Sequence, residues 1–96
     1  IIFNMKYLFD VVKINNKILV RCLKKRWLGG YEIYYSTGYG GIDYKFNQEF
    51  TESLSEAHGF TLEYAKKRVH SYLDYYYPND VEILYSPYEP KQEEFV

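Results

Sequence analysis

Apolar and aromatic residues concentrate in two stretches near the start of the chain, residues 6–14 and 17–28. Stretches rich in Val, Ile, Leu, Tyr and Phe that are bounded by turn residues are typical of β-strands. Asn15 and Asn16 separate the two stretches, and because asparagine tolerates positive φ, this pair suits a two-residue hairpin turn. The pattern therefore predicts an antiparallel β-hairpin.

A two-residue turn also determines which residues of the hairpin lie opposite one another. In this register the acid Asp10 faces the base Arg21, which is a favourable cross-strand pair. We expect this pair on the face away from the core, where its removal would barely change stability. The other face is the more apolar one, and we predict that it packs in the core. Its residues are Phe9, Val11, Ile18, Val20 and Cys22.

Glycines divide the middle of the chain into further elements. A glycine pair at 29–30 marks a turn, and alternating Tyr and Ile residues predict a third strand over 31–37. A glycine-rich loop over 38–41 follows, and a short strand is predicted over 42–46. The loop differs from a phosphate-binding loop because no helix begins directly after it.

A short helix is predicted over residues 47–58, with Gly59 as its C-terminal cap. Residues three and four apart lie on one side of a helix, so this element would present an acidic face. The residues of that face are Glu49, Glu52 and Glu56.

The clearest element is an amphipathic helix over residues 62–76. Thr61 is a good N-cap residue, and Pro78 ends the helix because the residue before proline disfavours helical geometry. A last strand is predicted over 81–85. The apolar residues of the helix recur at helical spacing and predict its buried face: Leu62, Ala65, Val69, Tyr72, Leu73 and Tyr76.

The order of these elements predicts the α+β class. We expect a small antiparallel sheet, built from the N-terminal hairpin, the third strand and the C-terminal strand, with one long amphipathic helix packed on one face and a short helix before it. Residues 1–86 are expected to form a single domain, and residues 87–96 a flexible acidic C-terminal tail.

The composition adds aromatic richness and a charge asymmetry to this picture. Aromatic residues make up 21% of the 96 residues, and 13 of them are tyrosines, which argues against intrinsic disorder. The net charge of −1 combines a basic first part, +5 over residues 1–46, with an acidic second part, −6 over residues 47–96. The charge pattern is therefore compatible with a negatively charged partner or with a positively charged one.

No residue pattern in the sequence indicates a catalytic, cofactor or metal site. Cys22 is the sole cysteine, and its place on the apolar face predicts a buried structural thiol. His58 and His70 lack the close spacing of zinc ligands. We expect no enzymatic activity and no cofactor. The lone cysteine and the absence of a long apolar run predict a cytoplasmic protein that does not act at a membrane.

One candidate binding surface combines basic and aromatic residues. Basic side chains can contact phosphates, and aromatic rings can stack on bases. A second basic cluster, residues 66–68, adds to this signal, whereas the slightly negative net charge and the absence of a known nucleic-acid motif oppose it. The residues of this nucleic-acid-binding hypothesis are Lys24, Lys25, Arg26, Trp27 and Tyr39.

The other candidate surface is acidic and aromatic. Tyrosine offers a large, rigid surface with a polar tip and is common in protein interfaces, although codon usage in an AT-rich genome would also enrich it. The candidate residues are Glu49, Glu52, Glu56, Tyr34, Tyr75 and Tyr77.

The favoured functional hypothesis is a small non-enzymatic module that binds a protein. A short, tyrosine-rich, locally acidic chain is similar in general appearance to a phage or mobile-element inhibitor of a host nucleic-acid enzyme, such as an anti-CRISPR protein. Such an inhibitor would occupy a binding surface of that enzyme. Nucleic-acid binding is the alternative. Changing Lys24, Lys25 and Arg26 to Glu would abolish nucleic-acid binding but leave protein binding largely intact.

Overall fold

The computed structural model describes residues 7–40, 45–75, 81–83 and 91–93. Within these residues, six strands and two α-helices follow one another, and a 3-10 helix at Leu54–Glu56 separates β4 from α2. The elements are β1 (Tyr7–Ile14), β2 (Lys17–Lys25), β3 (Tyr31–Ser36), α1 (Phe46–Glu49), β4 (Phe50–Thr51), α2 (Leu62–Tyr75), β5 (Val81–Ile83) and β6 (Lys91–Glu93).

The N-terminal hairpin has the predicted register. β1 and β2 are antiparallel, and Asp10 lies opposite Arg21. The turn consists of Asn15 and Asn16, whose φ angles of 51° and 66° are both positive, as a type I′ turn requires.

The sheet has the strand order β4-β3-β2-β1-β5, and β1 to β4 form its antiparallel part. The C-terminal strand is present as β5, but it pairs with β1 in parallel orientation. β6 pairs in parallel with the other half of β1. It lies within residues 87–96, for which we predicted a tail and no strand. Residues 42–44 of the predicted short strand lie outside the described residues, and Phe46 begins α1 instead.

Helix α2 packs on the predicted core face of the hairpin. Its N-terminus is capped as expected, because the Tyr64 N–H donates to Thr61 Oγ1 at 3.2 Å. Ala65, Val69 and Tyr72 are buried, and the Tyr72 ring stacks on Phe9 with 5.0 Å between centroids. The side chains of Leu73 and Tyr76, and Pro78, lie outside the described residues. The core on this face comprises Phe9, Val11, Val20, Cys22, Phe50, Ala65, Val69 and Tyr72.

The opposite face of the hairpin is also buried, which corrects the prediction for the Asp10–Arg21 pair. Only 1% of Asp10 and 6% of Arg21 is exposed, although we expected the pair on a surface away from the core. On this face, the segment after β4 packs Leu54 and Ala57 against a second apolar cluster, so the face that carries the pair is not left open to solvent. That cluster contains Val12, Ile14, Leu19 and Tyr35.

The predicted helix over 47–58 is broken into three pieces. α1 ends at Glu49, β4 follows, and only residues 54–56 return to a 3-10 turn. Gly59 therefore does not cap a helix. The three acids do not share a helical face.

No helix that the structure describes is long and apolar enough to cross a membrane.

Candidate functional site

The turn between β2 and β3 carries the most exposed large apolar side chains among the described residues. Trp27 is 84% exposed and Leu28 is 90% exposed. The turn backbone is nevertheless fixed, because the Arg26 N–H donates to the Gly30 carbonyl at 3.0 Å. The φ of +74° at Gly30 is one that glycine adopts without strain. We call residues 26–30 the hairpin tip.

Basic and apolar neighbours extend the hairpin tip. Lys25 and Arg26 are both exposed, and Lys25 lies opposite Tyr31 across the strand pair. Tyr31 is 39% exposed and Ile33 is 40% exposed. Because these two residues are two positions apart, their side chains lie on the same face of β3. The tip therefore joins a partly exposed apolar strip.

β3 has an incompletely paired outer side. β2 pairs with the inner side along residues 31–35, whereas β4 pairs with the outer side only at Tyr35 and Ser36. No described strand covers the outer side of residues 31–34, which we call the open edge.

The open edge exists because β4 ends after two residues. The Ser53 N–H donates to Thr51 Oγ1 at 3.1 Å, and that hydroxyl donates to Glu56 Oε2 at 2.9 Å. These bonds turn the chain towards the second face of the sheet, away from β3. An edge strand left in this way presents backbone N–H and C=O groups to a further strand.

An aromatic groove of about 660 Å³ lies beside the open edge, on the face that α2 covers further along the sheet. Helix α1 positions Phe46 in it, because the Lys45 N–H donates to Gln48 Oε1 at 2.9 Å and so begins the helix. The Phe46 ring lies edge-on to Tyr34, with 5.1 Å between centroids. The groove is lined by Tyr7, Tyr34, Phe46 and Phe50, with Lys24 and Glu52 at its polar positions.

Tyr34 is held in place within the groove by Glu32. Its hydroxyl donates to Glu32 Oε2 at 2.7 Å, and this hydrogen bond raises the pKa of Tyr34 to about 12. Like an ordinary tyrosine, Tyr34 is protonated at neutral pH, and it offers a ring surface rather than a charge.

A polar cluster on the far side of the core fastens the loop after β3 to α2. Arg68 donates to the Tyr72 hydroxyl at 2.9 Å and also to the Tyr39 carbonyl. Burial raises the pKa of Tyr72 to about 12. Glu49 is only 4% exposed, and its burial raises the pKa of its carboxyl above the ordinary value of 4.5. The cluster links α1, α2 and the loop.

No protein-family model, curated protein or solved structure matches this chain. Its function must therefore be inferred from its own surfaces.

The basic and aromatic residues singled out from the sequence divide between two places. Lys25, Arg26 and Trp27 lie together at the tip, and Lys24 lies in the groove beside them. Tyr39 lies in the loop after the opposite end of β3, a six-residue strand that spans about 17 Å. The tip therefore does not include Tyr39.

Among the acidic and tyrosine candidates, the structure brings Tyr34 and Glu52 together, because both line the groove. Glu49 is buried, whereas Glu52 and Glu56 are exposed. Tyr34 lies in the groove. The side chain of Tyr75, and Tyr77 as a whole, lie outside the described residues.

The predicted burial of Cys22 is confirmed. Its burial raises the pKa of the thiol, which disfavours the nucleophilic thiolate. His58 packs edge-on to Phe60 with 4.8 Å between centroids, and His70 is exposed on α2. Within the described ranges, no group of three or more His, Cys, Asp or Glu side chains is arranged to hold a metal ion.

Three features of the surface were missed in the sequence: the exposure of Leu28 and Ile33, the open edge and the groove. Leu28 stands next to the glycine pair at 29–30. Because a large aliphatic residue in a turn has little to pack against, this position was a usable signal. The open edge carried no such signal, because it depends on where β4 ends.

Proposed function

We propose that the chain is a non-enzymatic protein-binding module and that the hairpin tip is its contact surface. The observation that carries this proposal is the exposure of Trp27 and Leu28 on a turn that hydrogen bonds keep in shape. Tryptophan is one of the residue types that most often contribute a large share of the binding energy in protein interfaces, and Leu28 adds apolar surface beside it. A turn that is ordered before binding also loses less conformational entropy on association.

Leu28 favours a protein over a nucleic acid as the partner. Trp27 can stack on a base or fill an apolar pocket, so it fits either partner. A leucine side chain has no ring for stacking and no donor for a phosphate, so Leu28, which is 90% exposed, can contribute to binding only through contact with an apolar surface. Ile33 supports the same conclusion.

Nucleic-acid binding is the second candidate because Lys25 and Arg26 flank Trp27 and Tyr31. These four residues combine charge for phosphates with rings for bases. In a protein complex, the same two charges would lie at the rim and would match an acidic partner surface.

The narrower hypothesis concerns a phage or mobile-element inhibitor of a host nucleic-acid enzyme. In this hypothesis, the acidic part of the contact surface consists of Glu52 and Glu56, because Glu49 is buried. The cytoplasmic location expected from the sequence is part of this hypothesis and stays a prediction.

Site-specific photo-crosslinking tests the proposed contact surface. A photoreactive amino acid replaces Leu28 in one variant and Glu63, which is exposed on α2, in the matched control. Each variant is irradiated in an extract of cells that carry the sequence. We expect protein adducts at position 28 that survive nuclease treatment, that are lost when Trp27→Ala is added, and that are absent at position 63.

The opposite result has a clear signature. If adducts at position 28 consist of nucleic acid, and if the protein binds short oligonucleotides with an affinity that falls steeply as salt rises, the nucleic-acid alternative replaces the proposal. Adducts of the same kind at both positions would also contradict it, because the tip would then have no special role.

A further inference from the structure

We infer that the open edge and the aromatic groove together receive an extended peptide segment of the partner protein, which joins β3 as an additional strand. This inference rests on the proposed function, since it names the kind of segment that the module binds. It concerns residues 31–34 and the groove beside them, whereas the proposed function concerns the hairpin tip.

The open edge supplies the backbone half of such a site. Alternate residues of an edge strand direct their N–H and C=O groups outward, and β4 leaves four residues of β3 without a described neighbour on that side. Peptide-binding domains use such edges because main-chain hydrogen bonds give affinity without requiring a particular sequence.

The groove supplies the side-chain half. Successive side chains of a strand point to opposite faces, so every second side chain of an added strand points towards the face that carries the groove. Tyr34, Phe46 and Phe50 form its walls. An aromatic or large aliphatic side chain suits this surface, because the rings already pack with one another at centroid distances of about 5 Å.

Charges at the two ends of the open edge, together with antiparallel pairing, determine the order of charges that we expect along the peptide. Lys25 and Arg26 are exposed near the tip end, and Glu52 is exposed where β4 turns away. β3 runs from the tip towards β4. An antiparallel peptide, which has the more stable pairing, therefore places its N-terminal end near Glu52. We infer a segment with basic residues at its N-terminal end, alternating apolar residues in the middle and acidic residues at its C-terminal end.

A second copy of the chain is a less suitable occupant than a peptide of this kind. Its own β3 would bring Glu32, which lies on the same face as Tyr34, to the aromatic groove. A carboxylate that is desolvated against aromatic rings costs free energy. The partner segment needs an apolar side chain at that position.

Selection from a library of displayed random peptides tests the inference on the full chain. We expect the selected sequences to share alternating apolar residues and the predicted order of charges, basic before acidic. No enrichment, or a consensus without alternation or charge order, would overturn the inference.

A charge-swapped variant makes the test specific to the open edge. Lys25→Glu and Glu52→Lys are combined, and both positions are exposed. The selected peptide should bind this variant roughly tenfold more weakly, because two favourable exposed ion pairs become repulsive, and a new selection should return the reversed charge order. The control swap, Glu63→Lys with Lys67→Glu on α2, has the same net charge and should leave the consensus unchanged.

Further outcomes separate this inference from the proposed function. Unchanged binding to the edge-swapped variant, or an equal loss in both variants, would overturn it. Concentration-dependent dimers in sedimentation velocity that disappear in the edge-swapped variant would also overturn it, in favour of a second copy as the occupant. If position 28 crosslinks to protein while the selection fails, the proposed function stands and the inference fails.

Discussion

Asp10 and Arg21 show how strongly the environment of a residue pair determines its importance. The guanidinium donates two hydrogen bonds to the carboxylate, from Nε to Oδ1 at 2.8 Å and from Nη2 to Oδ2 at 2.6 Å, and both side chains are buried. Two parallel hydrogen bonds of this kind make a strong, charge-assisted pair. Removing one partner takes away the ion pair that compensates the buried charge of the other.

We therefore expect Asp10→Ala to lower the free energy of unfolding by about 3–5 kcal/mol, measured by urea denaturation. The double change of Asp10→Leu with Arg21→Met is the control. It should cost less than Asp10→Ala alone, because it removes both charges and retains side-chain volume. A loss below about 1 kcal/mol for Asp10→Ala would mean that the pair behaves as an exposed one.

Glu49 makes stability depend on pH. Its burial raises the pKa of its carboxyl, although hydrogen bonding to Tyr72 and the nearby Arg68 charge act in the opposite direction. The folded state therefore retains this proton at pH values where the unfolded chain has released it. As a result, the free energy of unfolding falls as the pH rises from about 4.5 through the raised pKa.

Glu49→Gln imitates the protonated side chain and should flatten this dependence. We expect the variant to be more stable than the parent at pH 7 and nearly equal to it at pH 4, in urea titrations repeated from pH 4 to pH 8. Glu52→Gln, at an exposed position, is the control and should follow the parent. A Glu49→Gln variant that is less stable at pH 7 would contradict this explanation.

At the scale of elements, α2 packs the apolar face that the sequence predicted into the core. Val69 is fully buried against the sheet, and Lys67 on the same helix is exposed. We expect Val69→Ala to lower the free energy of unfolding by roughly 2 kcal/mol, because it leaves a cavity. Lys67→Ala should change it by less than about 0.5 kcal/mol. Equal shifts in the two thermal melts would mean that the helix face is misassigned.

The elements that could be predicted are those that local chemistry determines. The register of β1 and β2 follows from the two asparagines of the turn, and the start of α2 follows from Thr61 and the periodicity after it. The helix predicted over 47–58 was wrong because its spacing of acids resembled a helical face, whereas packing of Phe50 in the core makes that residue part of a strand. Tertiary contacts overrode the local pattern there.

The second buried face had a signal in the sequence that we did not use. β1 reads Tyr-Leu-Phe-Asp-Val-Val-Lys-Ile, a nearly continuous apolar run. Such runs are typical of strands buried on both faces. Choosing only the more apolar face left Leu8, Val12 and Ile14 without an explanation, and the packing of Leu54 and Ala57 on the second apolar cluster now supplies part of it.

At the scale of the whole molecule, the candidate site lies at the sheet edge that β4 pairs with only in part. The sheet carries a buried apolar cluster on each face, and β5 and β6 lie along β1. The part of β3 next to the hairpin tip pairs with β2 on its inner side, but no strand among the described residues pairs with its outer side. The basic and aromatic part of this site was predicted from Lys25, Arg26 and Trp27. The open edge and the groove were not, because they arise only when distant segments pack together.

Binding of a protein at the hairpin tip can be measured most directly at Trp27, which is the sole tryptophan of the chain. Protein labelled with 5-fluorotryptophan gives a single fluorine NMR resonance from the hairpin tip. If the hairpin tip binds a protein, this resonance shifts or broadens in an extract of cells that carry the sequence. Nuclease treatment then leaves the change in place, and removal of the extract proteins abolishes it. A change that nuclease abolishes, and that purified single-stranded oligonucleotides reproduce at low salt, would contradict protein binding at the tip.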